Sequence, residues 1–169
     1  MKGCILKEYD DDYFTYLKPI LEPIKDAVRG YNWLVTDCEV YCHPDPRIGK
    51  PGYDWLSGDE LLDIAEHKSQ FIWAVFSAIP KHVPREQALA GSAAAQLPEA
   101  EEYSGFYRNP VSIQHPLAEI EIAAIDSSYA IFISKHDALV GQWATAFEHA
   151  LDLESYNDDL QRKYPGLFC

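Results

Sequence analysis

Four consecutive residues, Ser134, Lys135, His136 and Asp137, carry side chains that enzymes use as nucleophile, base and orienting acid. A catalytic triad is assembled from separate segments, however, and no G-x-S-x-G surrounds Ser134. The stretch lies where the apolar run YAIFI stops and ALVGQWATAF begins. Ser134 and Asp137 fit S-x-x-D, in which a hydroxyl and a carboxylate satisfy the free amides of a helix start. Capping is therefore the expected role, with Lys135 and His136 exposed in the first turn.

The other chemistry-bearing residues are scattered. His43, His67, His82, His115, His136 and His149 form no H-x-x-x-H or H-E-x-x-H pair. Glu119 and Glu121 alternate along AEIEIAAI and could offer paired carboxylates for acid/base work. The commoner outcome of such a pair is the solvated face of a half-exposed sheet, and that is the expectation. Cys38, Cys42 and His43 could supply three ligands, but no second ligand pair follows at a zinc-site spacing. Together with Cys4 and Cys169 the cysteines are expected to be ordinary thiols, and no metal, cofactor or catalytic residue is assigned. Trp33, Trp73 and Trp143 fall on elements expected in the core. Trp55, beside Tyr53 in a Pro/Gly-rich stretch, is the one candidate for an exposed anchor.

These residues need a scaffold. GCILK (Gly3–Lys7) reads as a first strand. The Asp10–Asp12 run is placed to cap a helix beginning near Tyr13, with Phe14, Leu17, Leu21 and Ile24 on one face. Pro19 and Pro23 each remove a backbone donor, so two short pieces are expected there. Asn32–Tyr41 reads as a strand with Trp33, Val35 and Asp37 on one side, and Leu34, Thr36 and Cys38 on the other. CHPDPRIGKPGYDW reads as a loop, and its GKPG lacks the spacing of a phosphate loop. Ser57 and Glu60 form an S-x-x-E capping box for a helix with Leu61, Leu62, Ile64 and Ala65 on its buried side. FIWAVFSAI (Phe71–Ile79) is the most apolar run and reads as a central strand. A short helix and then an exposed acidic loop are expected before Gln114. Ala118–Ile125 and Tyr129–Ile133 make a hairpin across Asp126–Ser128. The remainder reads as helical, with Leu139, Val140, Trp143, Phe147 and Ala150 as one buried stripe and a last short helix over 155–163. The expected fold is α+β, a single domain with about five strands in a mostly antiparallel sheet flanked by helices.

Charge narrows the function. The 169 residues carry 27 acidic and 14 basic side chains, a net charge of −13. Up to Pro98 there are 15 acidic and 10 basic residues, and after it 12 and 4. Such a surface repels nucleic acid and anionic lipid, and attracts a basic protein. It also serves plain solubility. The start, MKGCILKEYDDD, turns acidic at once, unlike a secretory signal, and no apolar run approaches the ~20 residues of a membrane span. A cytoplasmic location is expected.

WLSGDELLDIAEHKSQFIWAVFSAIP followed by AEIEIAAIDSSYAIFISKHDALVGQWATAF resembles small bacterial immunity proteins of polymorphic-toxin and contact-dependent growth inhibition systems, over residues 55–155. That resemblance implies a non-enzymatic cytosolic protein that binds and neutralises one cognate toxin domain. Many such toxins are nucleases and therefore basic, which suits an acidic inhibitor. Exposure and charge then nominate contact residues: Asp45, Asp54 and Trp55 in the Cys42–Ser57 loop, and Glu99, Glu101 and Glu102 in the acidic loop. The alternatives are a small hydrolase or transferase using Glu119, Glu121 and a histidine, and an adaptor without chemistry. A pocket that brings His115 or His136 to hydrogen-bonding distance of Glu119 or Glu121 would favour the hydrolase or transferase.

Overall fold

The computed structural model describes residues 2–7, 15–42, 45–92 and 97–166. One sheet of seven strands forms its centre, every adjacent pair antiparallel. The strands are β1 (Lys2–Leu6), β2 (Tyr31–Cys42), β3 (Tyr53–Ser57), β4 (Gln70–Pro80), β5 (Ile120–Ile125), β6 (Tyr129–Ser134) and β7 (Ala150–Asp152), in spatial order β3-β2-β4-β5-β6-β1-β7. The α+β class is as expected, but the expected five strands are too few. The two additional strands, β3 and β7, are the sheet's edges. β3 follows directly on a Pro/Gly-rich turn and β7 is three residues long, so neither has an alternation long enough to stand out.

Alternation within each strand sends side chains to two faces, and both are covered. Cys4, Leu6, Trp33, Val35, Phe76, Ile120, Ile122 and Phe132 face one core; Ile5, Val75, Ala123, Ile125, Ile131 and Ile133 face the other. Because every residue of β5 is buried, its apparent in/out pattern does not correspond to a wet face.

Helices cover the first face. The first helical segment runs as α1 (Leu17–Leu21), a 3-10 turn (Glu22–Ile24) and α2 (Lys25–Val28); the break falls at Pro23, while Pro19 sits in the first turn of α1, where no intrahelical donor is required. Its expected start near Tyr13, with Phe14 and the Asp10–Asp12 cap, lies outside the described residues. Broken helices leave carbonyls without intrahelical donors, and two buried indoles take them. Trp143 Nε1 donates to Ile20 O and Trp33 Nε1 to Val28 O, both at 3.0 Å. α3 (Gly58–Ala65) begins with the expected capping box: Ser57 Oγ accepts from Glu60 N at 3.2 Å, and Glu60 Oε2 accepts from Ser57 N at 2.7 Å. α3 packs so closely on α2 that a Cβ at Gly58 would stand 2.1 Å from Val28 O. α5 (Asp137–Ala146) completes this layer, with Trp143 stacked on Phe132 at 5.4 Å between ring centroids. It stops at Ala146, so Phe147 and Ala150 belong to the turn and β7 beyond it rather than to one helical stripe.

The second face is covered differently. α4 (Arg85–Ser92) and α6 (Leu153–Lys163) lie over its ends. Between them residues 97–118 run as a strap with a single 3-10 turn (Ser104–Tyr107), and Ala100, Phe106 and Val111 insert into the core. Polar side chains fasten the strap where sheet pairing is absent. Asn157 Nδ2 donates to Phe106 O at 3.1 Å, Asn109 Nδ2 to Glu154 O at 2.9 Å, and Thr36 Oγ1 to Pro98 O at 2.7 Å. Among the described residues no helix is long and apolar enough to cross a membrane.

Candidate functional site

β2 is interrupted at Asp37, which takes a positive φ of 47°, and the register to β4 shifts between Thr36 and Glu39. Aspartate tolerates this conformation because its short side chain can bond locally. The slip reverses the side-chain parity. Cys38 and Val40 join Trp33 and Val35 on the first face, so Cys38 is not on the side that strict alternation assigns.

The bulge organises a groove. Asp37 Oδ2 accepts from Ala100 N at 2.6 Å and Glu101 N at 3.0 Å, which fixes the start of the strap. The facing wall is the turn through Gly49 and Gly52, whose φ values of 82° and 90° suit glycine alone. Asp54 Oδ2 gathers that turn, accepting from Gly49 N at 2.7 Å and Lys50 N at 3.3 Å. Between the walls lies a space of about 420 Å³, bordered by Asp37, Cys38, Lys50, Pro51, Pro98 and Glu99. Burial, and then the neighbouring Asp54, push the Cys38 thiol up to about 12, which keeps it protonated and unreactive.

The nominated contact residues divide. Asp54 and Glu99 stand on or behind opposite walls of this one groove, and Glu101 and Glu102 are exposed just beyond it. Asp54 itself is only 2% exposed and organises the turn, so the exposure that nominated it is corrected. Asp45 is likewise buried, at 4%. Arg47 grips it with two side-chain bonds of 2.8 and 2.7 Å, His67 Nδ1 lies 3.1 Å away, and the guanidinium holds the carboxyl well below the usual range. Trp55 belongs to β3 rather than to a loop and is half-buried against the cluster around Leu34 and Ile79. Asp37 was missed as a site residue. Its signal was an acid in the middle of a β-branched and aromatic run.

A second constellation joins three segments. Tyr31 at the start of β2 donates its hydroxyl to Glu119 Oε2 at 2.8 Å. His136 Nε2 stands 2.9 Å from the same oxygen and 3.3 Å from the Tyr31 hydroxyl. The bonds from His136 and Tyr31, outweighing partial burial, hold Glu119 below its ordinary value, while burial and Glu119 push Tyr31 up to about 12. With Nε2–H donating to the carboxylate, Nδ1 is left as the ring's acceptor.

This geometry also corrects the expected helix cap. His136, not Ser134, is the N-cap of α5, and no side chain bonds the helix amides there. Ser134 is fully buried, accepting from His136 N at 2.9 Å and donating to Glu119 O at 3.4 Å. Asp137 pairs with Lys2 at 3.4 Å.

Glu121 is the larger surprise. It is 1% exposed instead of solvated, and its oxygens accept from Gln114 N at 3.3 and 3.1 Å. Burial pushes it up to about 8, against the opposing bonds from the Gln114 and His115 backbone and from the Gln114 side chain. The His115 ring does not serve it. That ring lies 3.1 Å from Ala88 O through Nε2 and accepts from Leu117 N through Nδ1 at 3.2 Å, while burial lowers its proton affinity. No group of three or more His, Cys, Asp or Glu among the described residues is arranged to hold a metal ion. His43 and Cys169 lie outside those residues. The chain matches no protein family, no characterised protein and no solved structure.

Proposed function

We propose that this protein binds and neutralises a basic protein domain, in the manner of a toxin–immunity pair, and that the groove at the Asp37 bulge is its docking edge. The observation carrying this reading is the convergence of the two acid-bearing segments on one groove. Three hydrogen bonds made by two side chains, Thr36 and Asp37, hold the strap there, so Glu101 and Glu102 are presented from a fixed backbone, which lowers the entropy lost on binding. The net charge of −13 supplies long-range attraction for a basic surface. On this reading the buried Asp54 shapes one wall and the exposed glutamates make the contact.

The test is recovery of the tagged chain from its native host at low and high salt, identification of any co-purifying protein, and expression of that protein with and without this chain. Toxicity relieved by the chain supports the reading. A co-purifying protein that is harmless on its own, or no partner at all, counts against it.

A second reading rests on one specific contact, His136 Nε2 at 2.9 Å from Glu119 Oε2. A carboxylate-oriented imidazole beside a tyrosine is the acid/base apparatus of a small hydrolase or transferase. Turnover of generic ester or phosphate substrates, abolished by His136→Ala, would favour it over docking. No turnover across such a panel would remove it.

A further inference from the structure

The groove wall and the buried acid on β5 are joined through a single residue, Gln114. Gln114 bonds in both directions. Its backbone amide donates to the Glu121 carboxyl at 3.3 and 3.1 Å. Its side-chain amide clamps Glu99 from both sides, Nε2 donating to Glu99 O at 2.9 Å and Oε1 accepting from Glu99 N at 3.0 Å. Glu99 borders the groove, and the next two residues are held by Asp37.

The surroundings of Glu121 make its charge state consequential. It sits on the second face beside Ser77 of β4 and Ile133 of β6, its partners in register. Ser77 is fully buried, and its Oγ makes no hydrogen bond among the described residues. No cation pairs with Glu121 among those residues. His115 is the neighbouring titratable group, and its ring is turned to Ala88 and Leu117. A carboxylate formed here has donors from the Gln114 and His115 backbone and the Gln114 side chain but no counter-ion among the described residues, and its burial shields it from water. We infer that Gln114 is a positioning residue tying the groove wall to the protonation of Glu121, the neutral acid keeping the wall closed and the ionised form releasing it.

The sign follows from linkage. Lifting the strap returns Glu121 toward ordinary carboxylate behaviour, so the open form binds fewer protons over the interval in which the closed form keeps its own. Opening therefore grows easier from about pH 5 upward and levels off near 8, where the closed form also ionises.

Amide hydrogen exchange on the full chain tests this, with rates corrected for intrinsic pH dependence and read on peptides covering 97–101, 111–118 and the β4 control 72–79. In the wild type, protection of both strap peptides is expected to fall at least about tenfold between pH 6 and pH 8, while the β4 peptide stays protected. Gln114→Ala is expected to keep the fall in 111–118 and lose it in 97–101. Glu121→Gln should flatten both. Should Glu121→Gln fail to fold, the wild-type series and Gln114→Ala still decide the matter. Three results would overturn the coupling: protection independent of pH, a parallel change in the β4 peptide, or a Gln114→Ala profile at 97–101 identical to the wild type. The inference relies on the docking proposal only for the use of the wall. This exchange pattern in a protein that binds no basic partner would count against docking alone.

Discussion

Replacing Glu121 by glutamine should make this protein more stable at alkaline pH, the opposite of the usual result of altering a buried, hydrogen-bonded side chain. Burial raises the carboxyl from 4.5 to about 8. Over that interval the folded chain holds a proton that the unfolded chain has released, so stability falls as pH rises through it and is level above. A shift of that size corresponds to about 5 kcal/mol at most, lost between pH 4.5 and 8. Glutamine does not titrate and retains an oxygen to accept from Gln114 N, but its added N–H groups need acceptors. Leaving them unmet costs about 1–3 kcal/mol. The net expectation is a variant equal to or weaker than the wild type at pH 5, and about 2–4 kcal/mol more stable than it at pH 9. Urea unfolding of both proteins at half-unit steps from pH 5 to 9 measures this directly, since every other titrating group cancels in the difference. Parallel stability curves across that range would refute the assignment of Glu121 as a buried acid that is neutral at pH 7.

Three further outcomes are expected. Gly58→Ala forces a methyl to within 2.1 Å of the Val28 carbonyl, so the contact between α2 and α3 must open, at a cost of about 1–3 kcal/mol in unfolding free energy, read as a lower denaturant midpoint. Ser57→Ala removes one half of the α3 capping box and should cost about 1 kcal/mol without changing the slope of the unfolding transition. Glu101→Lys with Glu102→Lys should slow association with the basic partner severalfold at low salt and have little effect at high salt, measured by stopped-flow or surface plasmon resonance. An unchanged association rate at low salt would place the docking edge elsewhere on the protein.

Short-range signals in the chain were sufficient for much of this fold. Ser57 and Glu60 sit three apart and form their cap because capping depends only on local backbone geometry. FIWAVFSAI is central because a run apolar on both parities must be covered on both faces. Pro23 divides the first helical segment because proline lacks the donor that segment needs there. The hairpin turn at Asp126–Ser128 is of the same kind: Asp126 and Ser127 adopt positive φ, which short polar residues tolerate.

Residue alternation could not report what lies above a sheet. Glu119 and Glu121 are two apart in the sequence, yet one meets Tyr31 and His136 at a partly exposed site while the other is sealed beneath the strap. Their difference arises from an irregular segment whose path is set by individual side-chain anchors at Thr36, Asp37, Gln114 and Asn157, a pattern without periodicity. Asp45 and Asp54 likewise looked like exposed loop acids, and became buried only because Arg47 and the Gly49–Lys50 amides are brought to them by the folded turn. In Ser134–Asp137 the sequence determined the strand-to-helix joint, since β-branched and aromatic residues give way there to helix formers. The tertiary structure alone decided that His136 would face Glu119 and Tyr31, because those partners lie 17 and 105 residues away and only sheet pairing carries them to the same end of the molecule.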